Sequence, residues 1–174
     1  MATAQTTTGF KAEQNFFEIL KGFDTAMLVT HGSTAGLHAR PMAIARAEDD
    51  GSIWFITGGD TPKVFELEKD STILAVMQGE KKSLSVGGRA ELSRDRDKIH
   101  ELWKEAFRAW FKGKDDPNIV LIKMTPVEAE YWDNSGLSGL KFALKFAAAY
   151  VTGKAMSHTG EDADVDEHAK VRLQ

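Results

Sequence analysis

The chain has 174 residues, 42% hydrophobic and 28% charged, the proportions of one soluble globular domain long enough to bury a proper core. A net charge of −4 argues against a general nucleic-acid binder, which needs a basic surplus, while permitting one locally positive pocket. With no cysteine in the chain, disulfides, iron–sulfur clusters and thiolate zinc sites are excluded.

The N-terminal stretch MATAQTTTGFKAEQ has no apolar core of the signal-peptide kind, so the expected location is cytoplasmic. Residues 1–11 are Thr-rich and polar and are expected to fray into a disordered tail. Phe16, Leu20 and Phe23, widened by Phe17 and Ile19, recur at helical spacing and predict a short helix ending near Gly22. Three strands follow as an antiparallel meander: TAMLVT (25–30), LHARPMAIA (37–45) and SIWFIT (52–57), with Asp49, Asp50 and Gly51 turning the chain between the last two. Thr61 as N-cap and Pro62 at the first helical position then predict a helix to about Lys69. TILAVMQ (72–78) reads as a buried strand, and SLSVGGRAEL (83–92) as a strand whose paired glycines mark a bulge or bend.

Ile99, Leu102, Trp103, Ala106, Phe107, Trp110 and Phe111 fall at steps of three and four, predicting a long helix and placing Trp103 and Trp110 in a core with Trp54. IVLIKM (119–124) and EAEYW (128–132) read as two further strands. Leu140, Ala143, Leu144, Ala147 and Val151 share one face of a C-terminal helix, whose Lys141 and Lys145 and short length argue against a membrane span. The polar, acidic residues 153–174 are expected to stay disordered. These mostly hairpin-ordered strands hide their edges most economically in a closed antiparallel barrel, so the predicted class is α+β. The expected body is one domain over 12–152.

Chemistry concentrates around two cations. Lys63 sits in the first turn of a helix, where it opposes the macrodipole unless an anion is bound; Thr61, Lys63 and the helix N-terminus could converge on a phosphate. Arg40 lies in a strand beside Pro41, which cannot donate to a ladder and so marks an interruption. The alternative for both cations is an ordinary solvated charge. Thr57 ends the WFIT run, where its hydroxyl and free backbone groups suit a flat heteroaromatic ligand, though Thr is also simply a good strand former. The five histidines show no metal-ligand spacing, and no serine has a nucleophile-elbow context. His38 reads as a polar residue on a strand's outer face. Trp132 closes a strand before a polar turn, placing an indole where it could wall a pocket or an interface.

RPM, WFIT, TPK, SVGGRAEL, ELWKEAFRAWFKGKDDPN and EAEYWD occur in an order and at intervals that resemble the pyridoxamine 5′-phosphate oxidase-like split barrels, specifically their general stress protein branch. The resemblance covers roughly residues 12 to 135. It implies a six-stranded antiparallel split β-barrel with peripheral helices, and a homodimer holding FMN, or FAD, at the subunit interface. It implies that Arg40 and Lys63 contact the flavin phosphate and that Pro41 and Met42 run along the flavin. Phe55, Ile56 and Thr57 match the strand end that meets the isoalloxazine ring. Ser83 stands where the oxidases carry a ring-contacting glutamine, and Trp132 matches a tryptophan delivered by the partner subunit. The oxidases' Arg-x-His substrate motif and a further arginine are replaced by Ser138, Leu140 and Phe142, so oxidation of pyridoxamine phosphate is not expected. A flavin-dependent oxidoreductase acting on a small acceptor, a non-enzymatic flavin-binding protein, and a split barrel binding haem or a deazaflavin are the readings that remain. No nucleic-acid or membrane partner is expected.

Overall fold

The structure, a computed structural model, describes residues 2–32, 36–133 and 168–173. The predicted C-terminal helix and Ser138, Leu140 and Phe142 lie outside them. The elements in chain order are α1 (Ala2–Leu20), β1 (Thr25–His31), β2 (Leu37–Ala47), β3 (Ile53–Gly58), α2 (Pro62–Lys69), β4 (Thr72–Gln78), β5 (Lys82–Ser93), α3 (Arg96–Leu102), a 3₁₀ turn at Glu105–Ala109, β6 (Ile119–Asp133) and β7 (His168–Arg172).

All pairings are antiparallel, in the order β3-β2-β1-β4-β5-β6-β7, and β3 also pairs with β6, closing six strands into a barrel. β6 makes this closure possible by its length. Its first half (Ile119 to Met124) pairs with β3, its second half (Glu128 to Trp132) with β7, and β5 runs beside both. The expected meander of β1, β2 and β3 is present. Its second turn forms at Gly51, whose φ of +81° lies in the region that favours glycine.

Where two strands were expected at 119–124 and 128–132, one continuous strand forms. Pro126 is accommodated beside a slip in the β5–β6 register: Gly88 pairs with Pro126 and Gly87 with Glu128, which leaves Val127 unopposed. Gly88 is essential to that crossing: a Cβ there would stand 2.2 Å from the Thr125 carbonyl oxygen.

Alternation along β3 divides the apolar residues between two clusters. Ile53 and Phe55 enter the barrel interior with Phe16, Leu28, Val86 and Tyr131, while Ile56 faces outward into a second cluster with Ile99, Leu102, Phe107, Ile119 and Leu121. Each such side chain contributes about 1.5–3 kcal/mol relative to exposure.

Three expectations are corrected. The N-terminal helix begins at Ala2, within the stretch expected to fray, and seats Ala12, Phe16, Ile19 and Leu20 against the interior cluster. The tail expected to be disordered supplies β7, whose Val171 is buried in that cluster because pairing with β6 satisfies its backbone. The single long helix ends at Leu102. Trp103 and Lys104 are extended and the chain resumes as the 3₁₀ turn, so that Phe107 packs with Ile56 and Ile119 outside the barrel while Trp110 stays exposed. Tertiary packing here outweighs a helical periodicity worth only tenths of a kcal/mol per residue, about 0.7 at most.

Candidate functional site

A cavity of about 380 Å³ opens at the end of β3, between the start of α2 and the 3₁₀ turn. The chain is brought there by local chemistry. Pro62 starts α2, and the Thr61 hydroxyl donates to the Gly58 carbonyl (2.7 Å) instead of capping the helix. Gly59 donates its backbone N–H to the Asn118 carbonyl (2.7 Å), tying this turn to the start of β6. Of the residues singled out in the sequence, Pro41, Met42, Ile56, Thr57, Thr61 and Lys63 line the cavity. Asp60, Phe107, Trp110, Phe111 and Asn118 complete the wall and were not foreseen as site residues.

Lys63 donates to the Thr57 hydroxyl (2.9 Å) and is half-buried. Its pKa lies below the ordinary lysine value because burial disfavours the ammonium and the Arg40 guanidinium repels it, with Glu66 and Asp60 partly compensating. Asp60 is itself held by the Asn118 amide (2.9 Å).

Arg40 does not line the cavity. Its fork turns to Glu66 (Nη2 to Oε2, 2.9 Å) and to the Thr30 hydroxyl (Nη1 to Oγ1, 2.6 Å). Glu66 lies on the buried face of α2 with 8% exposure, and also accepts from Thr30 Oγ1 (2.5 Å) and meets His38 Nδ1 at 2.6 Å. Burial pushes its pKa up, but Thr30, His38 and Arg40 outweigh burial and hold it down at about 2. His38, read from the sequence as a plain strand residue, therefore belongs to a buried carboxylate network. Glu66 was missed too. The signal was there: a carboxylate flanked by the buried Val64 and Leu67 on a short amphipathic helix.

Three expected residues lie elsewhere. Phe55 is fully buried in the barrel interior, on the opposite face of β3 from Ile56, because adjacent strand residues point to opposite sides. Ser83 and Trp132 pair across β5 and β6, and Trp132 stacks on His168 with ring centroids 5.2 Å apart; neither lines the cavity. Among the described residues, no three His, Asp or Glu side chains are grouped to hold a metal, and no helix is long and apolar enough to cross a membrane.

The cavity wall thus combines a half-buried lysine, bonded to the Thr57 hydroxyl and repelled by Arg40, with the apolar side chains of Met42, Ile56, Phe107, Trp110 and Phe111. Such a lining suits a ligand that carries both an anionic group and an apolar surface.

A crystal structure from Jannaschia sp. CCS1, described as a general stress protein 26, superposes with a TM-score of 0.67 at 27% identity, covering 94% of this chain and 99% of that one. The general stress FMN/FAD binding protein of Xanthomonas citri superposes with a TM-score of 0.63 at 29% identity over 73% of this chain and 92% of that one. General stress protein 26 of Bacillus subtilis (strain 168) is 26% identical over 94 residues, which span 51% of this chain and 66% of the relative's length. The sequence model of the family described as pyridoxamine 5′-phosphate oxidase like matches residues 11–157. With that match over most of the chain and a barrel of the same architecture, the chain belongs to the pyridoxamine 5′-phosphate oxidase-like family.

Proposed function

We propose that the protein binds a flavin, FMN or FAD, in the cavity between α2 and the 3₁₀ turn. One observation carries this reading: Lys63, in the wall of a partly buried cavity, is repelled by the Arg40 guanidinium behind it, and of these two cations only Arg40 is bonded to a carboxylate. That arrangement costs free energy until an anion arrives. On this reading Lys63 holds the phosphate. Arg40, fixed by Glu66, adds charge from behind, and Met42 packs along the ring.

A bound flavin would supply reversible redox chemistry. With NAD(P)H or a reductase as donor and a small acceptor, the protein would be an oxidoreductase. A non-enzymatic flavin-binding role is favoured by a separate observation. Among the described residues, Asp60 and Lys63 are the only titratable ones lining the cavity, so no other described acid or base shares its wall with the aromatic residues. Bleaching of the bound flavin by NAD(P)H, with recovery on adding an acceptor, separates the enzyme from the binder.

We propose further that the working unit is a homodimer in the cytoplasm. Met27 and Val76 stand opposite one another across β1 and β4, 42% and 37% exposed, and form an apolar strip on the barrel's outer face. Ser83 and Trp132, remote from their own cavity, would be free to reach the partner's. Sedimentation at graded concentration checks the dimer.

Titration with FMN, followed by quenching of its fluorescence, tests the binding reading. Lys63→Ala should cost about 1.5–3 kcal/mol of FMN affinity, the value of a charge-assisted hydrogen bond. Unchanged affinity would remove the phosphate assignment.

A further inference from the structure

We propose that Trp110 is the aromatic cover of the flavin ring, a ligand contact not foreseen from the sequence; this rests on the flavin reading above. Trp110 is 70% exposed, the most exposed of the large hydrophobic residues on the described surface. Unlike Met27 and Val76 it borders the cavity.

The indole is also firmly mounted. Trp110 and Phe111 both donate their backbone N–H to the Phe107 carbonyl, at 3.0 and 3.1 Å, so the segment is a closed turn. Behind it, Trp103 packs edgewise on Phe107 and on Phe111, with ring centroids 5.9 and 6.5 Å apart. These three rings brace one another, and Phe107 and Phe111 line the cavity. Trp110, on the same turn, has no ring partner among the described residues and borders the cavity. An exposed aromatic on a braced turn, bordering the cavity, can meet a flat ligand with little change in the backbone that carries it.

Charge fixes the ligand's direction. With Lys63 taking the phosphate, the aromatic lining of Phe107, Trp110 and Phe111 is what remains for the isoalloxazine. Trp110 is then a specificity-determining contact for the ring, as Lys63 is for the phosphate.

Riboflavin, which has the ring but no phosphate, separates the two roles. Dissociation constants for FMN and for riboflavin are measured on the wild type, Trp110→Ala, Trp110→Phe and Lys63→Ala, with thermal unfolding as the control for folding. Trp110→Ala should weaken both ligands by the same factor, about tenfold, and Trp110→Phe should recover most of the loss. Lys63→Ala should weaken FMN alone. Flavin binding should also quench tryptophan emission in the wild type more than in Trp110→Phe. The assignment is overturned if Trp110→Ala binds both flavins like the wild type. It is equally overturned if that variant loses only self-association, which would make Trp110 a subunit contact. Binding of neither flavin by the wild type overturns the flavin reading itself, and this one with it.

Discussion

Lys63 and Glu66 lie one turn apart on α2 and are held in opposite electrostatic states. Glu66 is stabilised as a carboxylate, its pKa depressed to about 2, whereas Lys63 is destabilised as an ammonium. For Glu66 the folded pKa lies below the unfolded one. Its contribution, on the order of 3 kcal/mol, is therefore complete above about pH 4.5 and is lost as pH falls towards 2. Glu66→Gln should flatten that acid limb in unfolding curves taken across the pH range, and an unchanged limb would contradict the network. Arg40→Ala should cost about 3–5 kcal/mol of stability, because it strips a buried carboxylate of its charged partner. Lys63→Met should behave oppositely: the ligand-free protein becomes no less stable, while FMN binding weakens. Thermal unfolding with and without FMN reads both effects. At this scale the sequence was partly legible. Lys63, Thr57 and Thr61 announce themselves as polar groups at the ends of elements. Arg40 was identified, but which way its fork turns depends on Glu66, 26 residues away, and no local pattern encodes that.

β6 shows what element-level patterns can and cannot carry. Its two apolar halves were both visible, and so was a bulge at the paired glycines of β5. Joining the halves depended on that bulge falling opposite Pro126, a register fact that neither strand contains alone. Gly88→Ala should therefore cost more than the usual 1–3 kcal/mol of an overpacked site, since the added methyl meets backbone rather than a movable side chain. β7 was hidden because its five residues, HAKVR, are polar but for Ala169 and Val171. Its affinity comes from ladder bonds to a β6 edge that is itself invisible in the sequence. Val171→Ala should destabilise the fold by roughly 1–3 kcal/mol, measured by denaturant unfolding. A cost near zero would mean that β7 does not dock. The helical period through residues 99–111 misled for the converse reason. It records burial of Ile99, Leu102 and Phe107 correctly, but a chain bent between Leu102 and Glu105 buries the same residues while leaving Trp110 at the cavity.

For the whole molecule, the barrel follows from strands in hairpin order that must hide their edges, and the β3–β6 pairing is the closure that this logic demands. Closure also makes the site. It brings the end of β3, the start of α2 and the start of β6 to one place, with the 3₁₀ turn folded over it. The central claim is that this place is a flavin site whose Lys63 reads the phosphate, so the most direct measurement compares FMN with riboflavin on the wild-type protein by fluorescence quenching. The account predicts that both bind and that FMN binds tighter by about tenfold or more, the value of one charge-assisted contact. Equal affinity for the two, or no quenching of either, would contradict it.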